Sequence, residues 1–347
     1  MIVKAAAKIN LMLDVVGKLP NGYHSLFMIM QSVSCYDTVR VDRTGENGIK
    51  IISSDERVPK DEKNIAYKAA EAFFDYAGIS DRGIEIEIGK KIPMAAGLAG
   101  GSADGAGVLH ILNRLYKTGF DEFTLCSIGE KVGADVPFSL TGGTSLCVDT
   151  GGVIAPLPAI SDCFIVLCKP DMGVSTVNAY KQIDEAQRIR HADRTAMLYA
   201  MKNRDTALMY EKMNNVFEQV IEVPKRPYIK QTMKRCGAKA ALMSGSGPTV
   251  FGIFTSEDEA RLCFNKLKMQ FSETYLTRPV KRGIEEVTPE GNGREVVFNP
   301  LKMKGYRGSI KMSSRYSYVL IAAAFLTAAV LILSLALKDN SAVFYGG

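Results

Sequence analysis

Residues Pro93 to Gly107 read Pro-Met-Ala-Ala-Gly-Leu-Ala-Gly-Gly-Ser-Ala-Asp-Gly-Ala-Gly, five glycines and five alanines in fifteen positions. Ahead of them, Gly83-Ile-Glu-Ile-Glu-Ile alternates apolar and charged side chains, the period of a strand. Behind them, Val108, Leu112 and Leu115 recur on one face of a helix. Small residues alone would also suit an ordinary flexible loop. Placed between a strand and a helix, they predict a phosphate cradle. Gly97, Gly100 and Gly101 free the backbone to wrap an anion, and the helix start adds unpaired N–H groups and partial positive charge. No Gly-Lys-Ser/Thr follows, so this is not a Walker loop, and the spacing does not fit G-x-G-x-x-G.

The surrounding pattern predicts an α+β chain. Ile9, Leu11, Leu13 and Val15 alternate with Lys8, Asn10, Met12 and Asp14 as in a half-buried strand, and Pro20-Asn-Gly marks a turn after it. Asn64 to Gly78 predicts a helix with Ile65, Ala69, Phe73 and Ala77 on one face. Another helix from Glu122 to Val132 runs into Gly133-Ala-Asp-Val-Pro, and Thr144–Val148 with Val153–Leu157 reads as a hairpin. After Pro156 and Pro158 the pattern restarts with a strand from Cys163 to Cys168. Helices from about Tyr180 to Val220, strands at Ala238–Met243, Val250–Phe254 and near Tyr275, and a helix at Glu257–Met269 follow. The 347 residues therefore divide into domains at 1–157 and 158–285.

The net charge of +6 points to nucleic acid only if it lies on the folded body. From Pro300 onward six cations face Asp339 alone, a net of +5 that leaves +1 for residues 1–299, so no nucleic-acid partner is expected. Seven scattered cysteines form no C-x-x-C, and the three histidines are not grouped with them. That excludes a disulfide framework or a zinc site and predicts buried thiols in a reducing cytoplasm. Thr288–Arg294 opens a basic linker, 286–318. Val319 to Leu337 is nineteen residues without a charge or proline, about 28 Å as a helix against a bilayer core of ~30 Å. The expectation is a transmembrane helix at 319–337 with a short tail at 338–347, the cationic flank holding the body on the cytoplasmic side.

The cradle resembles the ATP-phosphate motif of the galactokinase–homoserine kinase–mevalonate kinase–phosphomevalonate kinase (GHMP) family. Ala6-Ala-Lys-Ile-Asn-Leu resembles that family's first motif, and Met243-Ser-Gly-Ser-Gly-Pro-Thr-Val-Phe its third, in the right order. The resemblance spans roughly residues 1–285. It implies a two-domain fold, a ribosomal protein S5 domain 2-like ATP-binding domain and a ferredoxin-like second domain, with ATP and Mg²⁺ as cofactors. The phosphate-binding residues it implies are Pro93, Met94, Ala95, Ala96, Gly97, Leu98, Ala99, Gly100, Gly101, Ser102 and Ala103. Ala95 and Ala96 stand where many relatives carry glycine, which suits a backbone without positive φ there.

Pro20-Asn-Gly-Tyr-His and Gly133-Ala-Asp-Val-Pro resemble the family member whose substrate is a cytidine diphosphate-linked methylerythritol. By that resemblance Asp135 is the catalytic base and Lys8 its partner. Lys8 and Asn10, two apart on a strand, share a face. Tyr23 and Tyr180 would stack on cytosine from either side while His24 bonds its edge. Asn10, Ser244, Gly245, Ser246 and Gly247 complete the substrate set. As isolated residues, Tyr23, His24 and Tyr180 would be packed surface side chains. Ser102 would contact phosphate or Mg²⁺ or cap its helix. Asp104 and Asp14 would meet metal or be solvated. No dedicated all-protein metal cage is expected, as when Mg²⁺ arrives on ATP. Kinases of homoserine, mevalonate or a sugar, and a catalytically silent membrane-tethered scaffold, are the alternatives.

Overall fold

A computed structural model describes residues 1–20 and 22–287. The segment from 288 on, including the apolar run 319–337 and the tail, lies outside the described residues. Among the described residues no helix is long and apolar enough to cross a membrane.

The first part of the chain runs β1 (Ile2–Lys18), β2 (His24–Arg43), β3 (Ile49–Ser53), α1 (Ile65–Ala77), β4 (Ile84–Gly89), α2 (Gly100–Leu115), α3 (Glu122–Glu130), α4 (Val136–Thr141), β5 (Thr144–Asp149) and β6 (Val153–Pro156). The second runs β7 (Phe164–Cys168), α5 (Thr176–Glu185), α6 (Arg194–Asn203), α7 (Thr206–Lys212), β8 (Asn214–Asn215), α8 (Arg226–Arg235), β9 (Ala240–Met243), β10 (Val250–Phe254), α9 (Glu257–Lys268), β11 (Thr274–Thr277) and β12 (Ile284–Glu286). An eight-stranded sheet has the path β12-β1-β2-β4-β3, with β5 and β6 continuing from β2 and β8 lying parallel to β1. Four antiparallel strands, β11-β7-β10-β9, make the second sheet. This is the expected two-domain α+β fold.

The local signals act as read in α1. Asn64 accepts from the Ala66 N–H at 2.9 Å, and Gly78 closes the helix at φ 65°. After the second sheet, β12 returns to pair with β1 from Val3 to Ala5. One expectation is corrected: β1 is not half-buried, since Lys8, Asn10, Met12 and Asp14 are as inaccessible as the residues between them. A bulge between Asn10 and Met12 also shifts its register. Ile9, Leu11 and Met12 pack into the main core, whereas Leu13 and Val15 turn to a second cluster with Phe138, Phe217 and Met243.

The two sheets share interior. On β7, Ile165 and Leu167 join the core of the first sheet, while Val166 and Cys168 face α8 and α9 with Ile229, Met233 and Cys263. All seven cysteines are free and six are buried. Burial pushes the thiols of Cys35, Cys147 and Cys168 up to about 12, so they act as small apolar side chains.

The returning strand is clasped by α2. His110 Nε2 lies 2.8 Å from Glu286 Oε1, beside Arg114 at 3.2 Å from the same oxygen. Burial lowers the His110 pKa below its ordinary 6.5, against the pull of Glu286. A histidine kept neutral by folding takes up its proton more readily unfolded, so stability is full above about pH 6.5 and falls as pH drops through that value. Urea midpoints measured from neutral to mildly acid pH should show that loss, and His110→Gln should flatten it.

Candidate active site

The first glycine segment is more strained than its composition suggests. Positive φ falls on Ala95 (49°), Gly97 (74°) and Ala99 (58°), so the alanine at 95 does occupy a left-handed backbone. Gly100 and Gly101 are already helical, and their smallness serves packing. A Cβ at Gly100 would lie 3.1 Å from Ile92, and one at Gly101 3.3 Å from Ile65. No side chain caps α2, and its first helical bond runs from Ala103 N–H to Ala99 C=O. The amides of Gly100, Gly101 and Ser102 are the helix-start donors left for an anion. Ser102 therefore does not act as a cap.

The second glycine segment meets the first backbone to backbone. Ser244 Oγ donates to Gly97 C=O at 3.0 Å, and a Cβ on Gly97 would stand 2.1 Å from Ser244 C=O. Asn215 on β8 donates to Met243 and Gly245 carbonyls at 2.7 and 2.8 Å. Asn10 Oδ1 accepts both Gly245 N–H at 3.0 Å and Lys8 Nζ at 2.8 Å. The shared face of Lys8 and Asn10 is thus realised.

Lys8 Nζ lies 3.9 Å from Asp135 Oδ2. Asp135 occupies the N-cap of α4 yet makes no side-chain cap bond, so its carboxylate is not consumed by the helix. Burial, and then the Asp135 charge, push the Tyr180 phenol up. Tyr180 does not wait with an open ring face. The His24 imidazole lies on it, centroids 4.7 Å apart and planes 18° apart, and Phe217 meets it edge-on. Tyr23 is exposed at the mouth.

A cavity of about 920 Å³ unites these groups. Lys8, Asp135, Tyr23, His24, Tyr180, Gly245 and Ser246 line it, as do nine of the eleven residues of the cradle. Leu98 and Ala103 instead turn into the core, and Asn10, Ser244 and Gly247 stand behind the wall. Val58, Pro59, Lys63, Asn64, Ile65 and Lys90 form a further wall that the motifs did not reveal. Asn64 was visible only as the first residue of a helix, and Asn215 carried no motif at all.

Two carboxylates expected in solvent are buried. Asp104 is bonded to Lys90 at 2.8 Å, and Asp37 shares the same ammonium. Burial, the largest influence, raises the Asp104 pKa against the pull of the Lys90 ammonium. Asp14 is fully buried against His191 at 3.0 Å and Arg194 at 3.8 Å. Each needed a cation because a lone buried charge is costly. Among the described residues no cluster of three or more His, Cys, Asp or Glu forms a metal cage.

An uncapped helix start, two interlocked glycine turns and a Lys–Asp pair in one cleft are parts of a phosphoryl-transfer site. Residues 64–143 match the description "GHMP kinases N terminal domain" and residues 197–273 match "GHMP kinases C terminal". The chain belongs to the GHMP kinase family, and it is an ATP-dependent kinase. Its likeness within the family is to 4-diphosphocytidyl-2-C-methyl-D-erythritol kinases. The one from Clostridium beijerinckii is 41% identical over 282 residues, 81% of this chain and all of that protein. The Clostridium acetobutylicum protein of that name is 42% identical over the same shares. A crystal structure of 4-(cytidine 5'-diphospho)-2C-methyl-D-erythritol kinase superposes with a TM-score of 0.66 at 29% identity, covering 80% of this chain and 99% of the other.

Gly97→Ala should separate the two glycine segments. The left-handed φ and the contact with Ser244 C=O together should cost about 1–3 kcal/mol in a urea titration. ATP affinity, measured by calorimetry, should weaken with it.

Proposed function

We infer that the protein transfers the γ-phosphoryl group of ATP to the 2-hydroxyl of 4-diphosphocytidyl-2-C-methyl-D-erythritol, in the non-mevalonate route to isoprenoids. The observation that carries this reading is the Lys8–Asp135 pair in the same cavity as the uncapped start of α2 and the Tyr23–His24–Tyr180 cluster. The Gly100, Gly101 and Ser102 amides bind the ATP phosphates, and the loop from Pro93 to Ala99 shapes the backbone around them. Asp135 accepts the proton of the attacking hydroxyl, a role commonly worth 10²–10⁴-fold. Lys8 lies beside Asp135 and offsets charge that develops on the transferring group. Asn10 fixes the Lys8 ammonium while tying β1 to the second glycine turn.

Mg²⁺ fits the donor set as a passenger of the nucleotide: the Ser102 hydroxyl lines the cavity and is not spent on a cap. When bound, the ion would offset the negative charge of the nucleotide's phosphates. Cytosine lies against Tyr23 with His24 on its edge, and Tyr180 backs the His24 ring instead of stacking on the base. Residues 1–157 form the S5 domain 2-like ATP-binding domain. Residues 158–285 carry the ferredoxin-like one, a reading supported by the order β11-β7-β10-β9, while β8 and β12 join the first sheet.

The test is ADP release with ATP, Mg²⁺ and the cytidyl substrate, with homoserine and mevalonate in parallel. Turnover of the cytidyl alcohol alone is expected. Turnover of another alcohol would discard the substrate, and silence on all three from a folded, ATP-binding protein would favour the scaffold. Asp135→Asn should lower kcat at least about a hundredfold with ATP binding retained. Near-normal turnover would remove Asp135 from the role of base.

The apolar run Val319–Leu337 anchors the body to a membrane in this reading, supported by its length and its cationic flank. Deletion of residues 300–347 should move the protein from the membrane to the soluble fraction of a lysate with kinase activity kept. An unchanged distribution would refute the anchor.

A further inference from the structure

His24 ends the turn between β1 and β2, next to the well-exposed Tyr23, yet only 11% of its own side chain is accessible. Two residues of α5 hold it. Tyr180 supports the ring from below, and Asp184, one helical turn further on, places Oδ1 2.6 Å from His24 Nε2. The other Asp184 oxygen accepts from Lys18 Nζ at 2.7 Å. His24 and then Lys18 keep the Asp184 carboxyl below its ordinary range, so at neutral pH it is acceptor only.

A carboxylate at Nε2 requires Nε2 to carry the proton. In the neutral ring Nδ1 is then a lone-pair acceptor. No described residue bonds Nδ1, and His24 lines the cavity whereas Asp184 does not. The imidazole is nearly parallel to Tyr180, so a base hydrogen-bonded in its plane also runs parallel to the phenol. At the exocyclic position of a base, such an acceptor calls for a donor. Cytosine offers an exocyclic N4 amine, a donor, where uracil offers the O4 acceptor.

We propose that Asp184 is a positioning residue that fixes the His24 tautomer and thereby makes the pocket select a cytosine over a uracil edge. This rests on the cytidine-reading role given to His24 above. Lys18 has a lesser part, since it only neutralises the outer oxygen of Asp184.

The experiment compares CDP and UDP binding by calorimetry for the full-length protein, Asp184→Asn and Lys18→Met. Wild type should prefer CDP by at least about tenfold, the worth of one well-made hydrogen bond against one unpaired group. An Asn amide turned to donate to Nε2 moves the ring proton to Nδ1, so Asp184→Asn should lose most of that preference, and Lys18→Met should keep it. In turnover, Asp184→Asn should raise KM for the cytidyl substrate about tenfold with kcat within about threefold and KM for ATP unchanged. Nitrogen-15 NMR should find the His24 proton on Nε2 in wild type and displaced in Asp184→Asn. Wild type without a CDP preference overturns the cytidine reading and this proposal together. A preference that survives in Asp184→Asn, or that Lys18→Met loses equally, overturns the role of Asp184 alone.

Discussion

The carboxamide oxygen of Asn10 joins the parts of the cleft. It accepts from the Lys8 ammonium on its own strand and from the Gly245 amide across the sheet boundary. Since Asn10 is wholly buried, neither bond competes with water, and both weigh more than they would at the surface. Lys8 is thereby aimed at Asp135, and the second glycine turn is held against the first. Remove that oxygen and a buried ammonium and a buried amide both lose their acceptor, a cost that falls on the site and not on the periphery.

The glycine turns explain why small residues gather where they do. Their closest contacts are backbone to backbone: Gly97 against Ser244, and Gly245 against Gly97. A side chain at either would act as a wedge between the two sheets. Positive φ at Ala95 and Ala99 adds strain to the same segment, and such strain persists only where the surroundings over-determine the backbone. Shared burial along β7, with alternate side chains in two cores, supplies that surrounding rigidity.

Much of this was legible in the residues. Caps and periodicity located α1 and β4, and the glycine run announced the start of α2. The illegible parts depended on tertiary partners. Alternation along β1 suggested one wet face, because Lys8, Asn10 and Asp14 are polar. Their partners Gly245, His191 and Arg194 lie far along the chain, and no local rule connects them. The buried triad of Asp37, Lys90 and Asp104 was hidden for the same reason. β12 is too short for any period to reveal, and only its ladder with β1 defines it. At the mouth, resemblance singled out Tyr23, His24 and Tyr180, but nothing local announced the stacking of His24 on Tyr180 or its contact with Asp184, an ordinary helix acid by sequence.

The return of β12 has a mechanical consequence. Val287 N–H still bonds to Ile2 C=O at 3.0 Å, so the described chain finishes beside the strand where it began. A pull on the polypeptide beyond that point is borne first by three ladder pairs and the His110–Glu286 clasp. β1, the next strand inward, carries Lys8 and Asn10 further along its length. Tension would therefore peel an edge strand before it reached the residues of the cleft, and the short strand acts as a sacrificial link between the folded body and whatever restrains the rest of the chain.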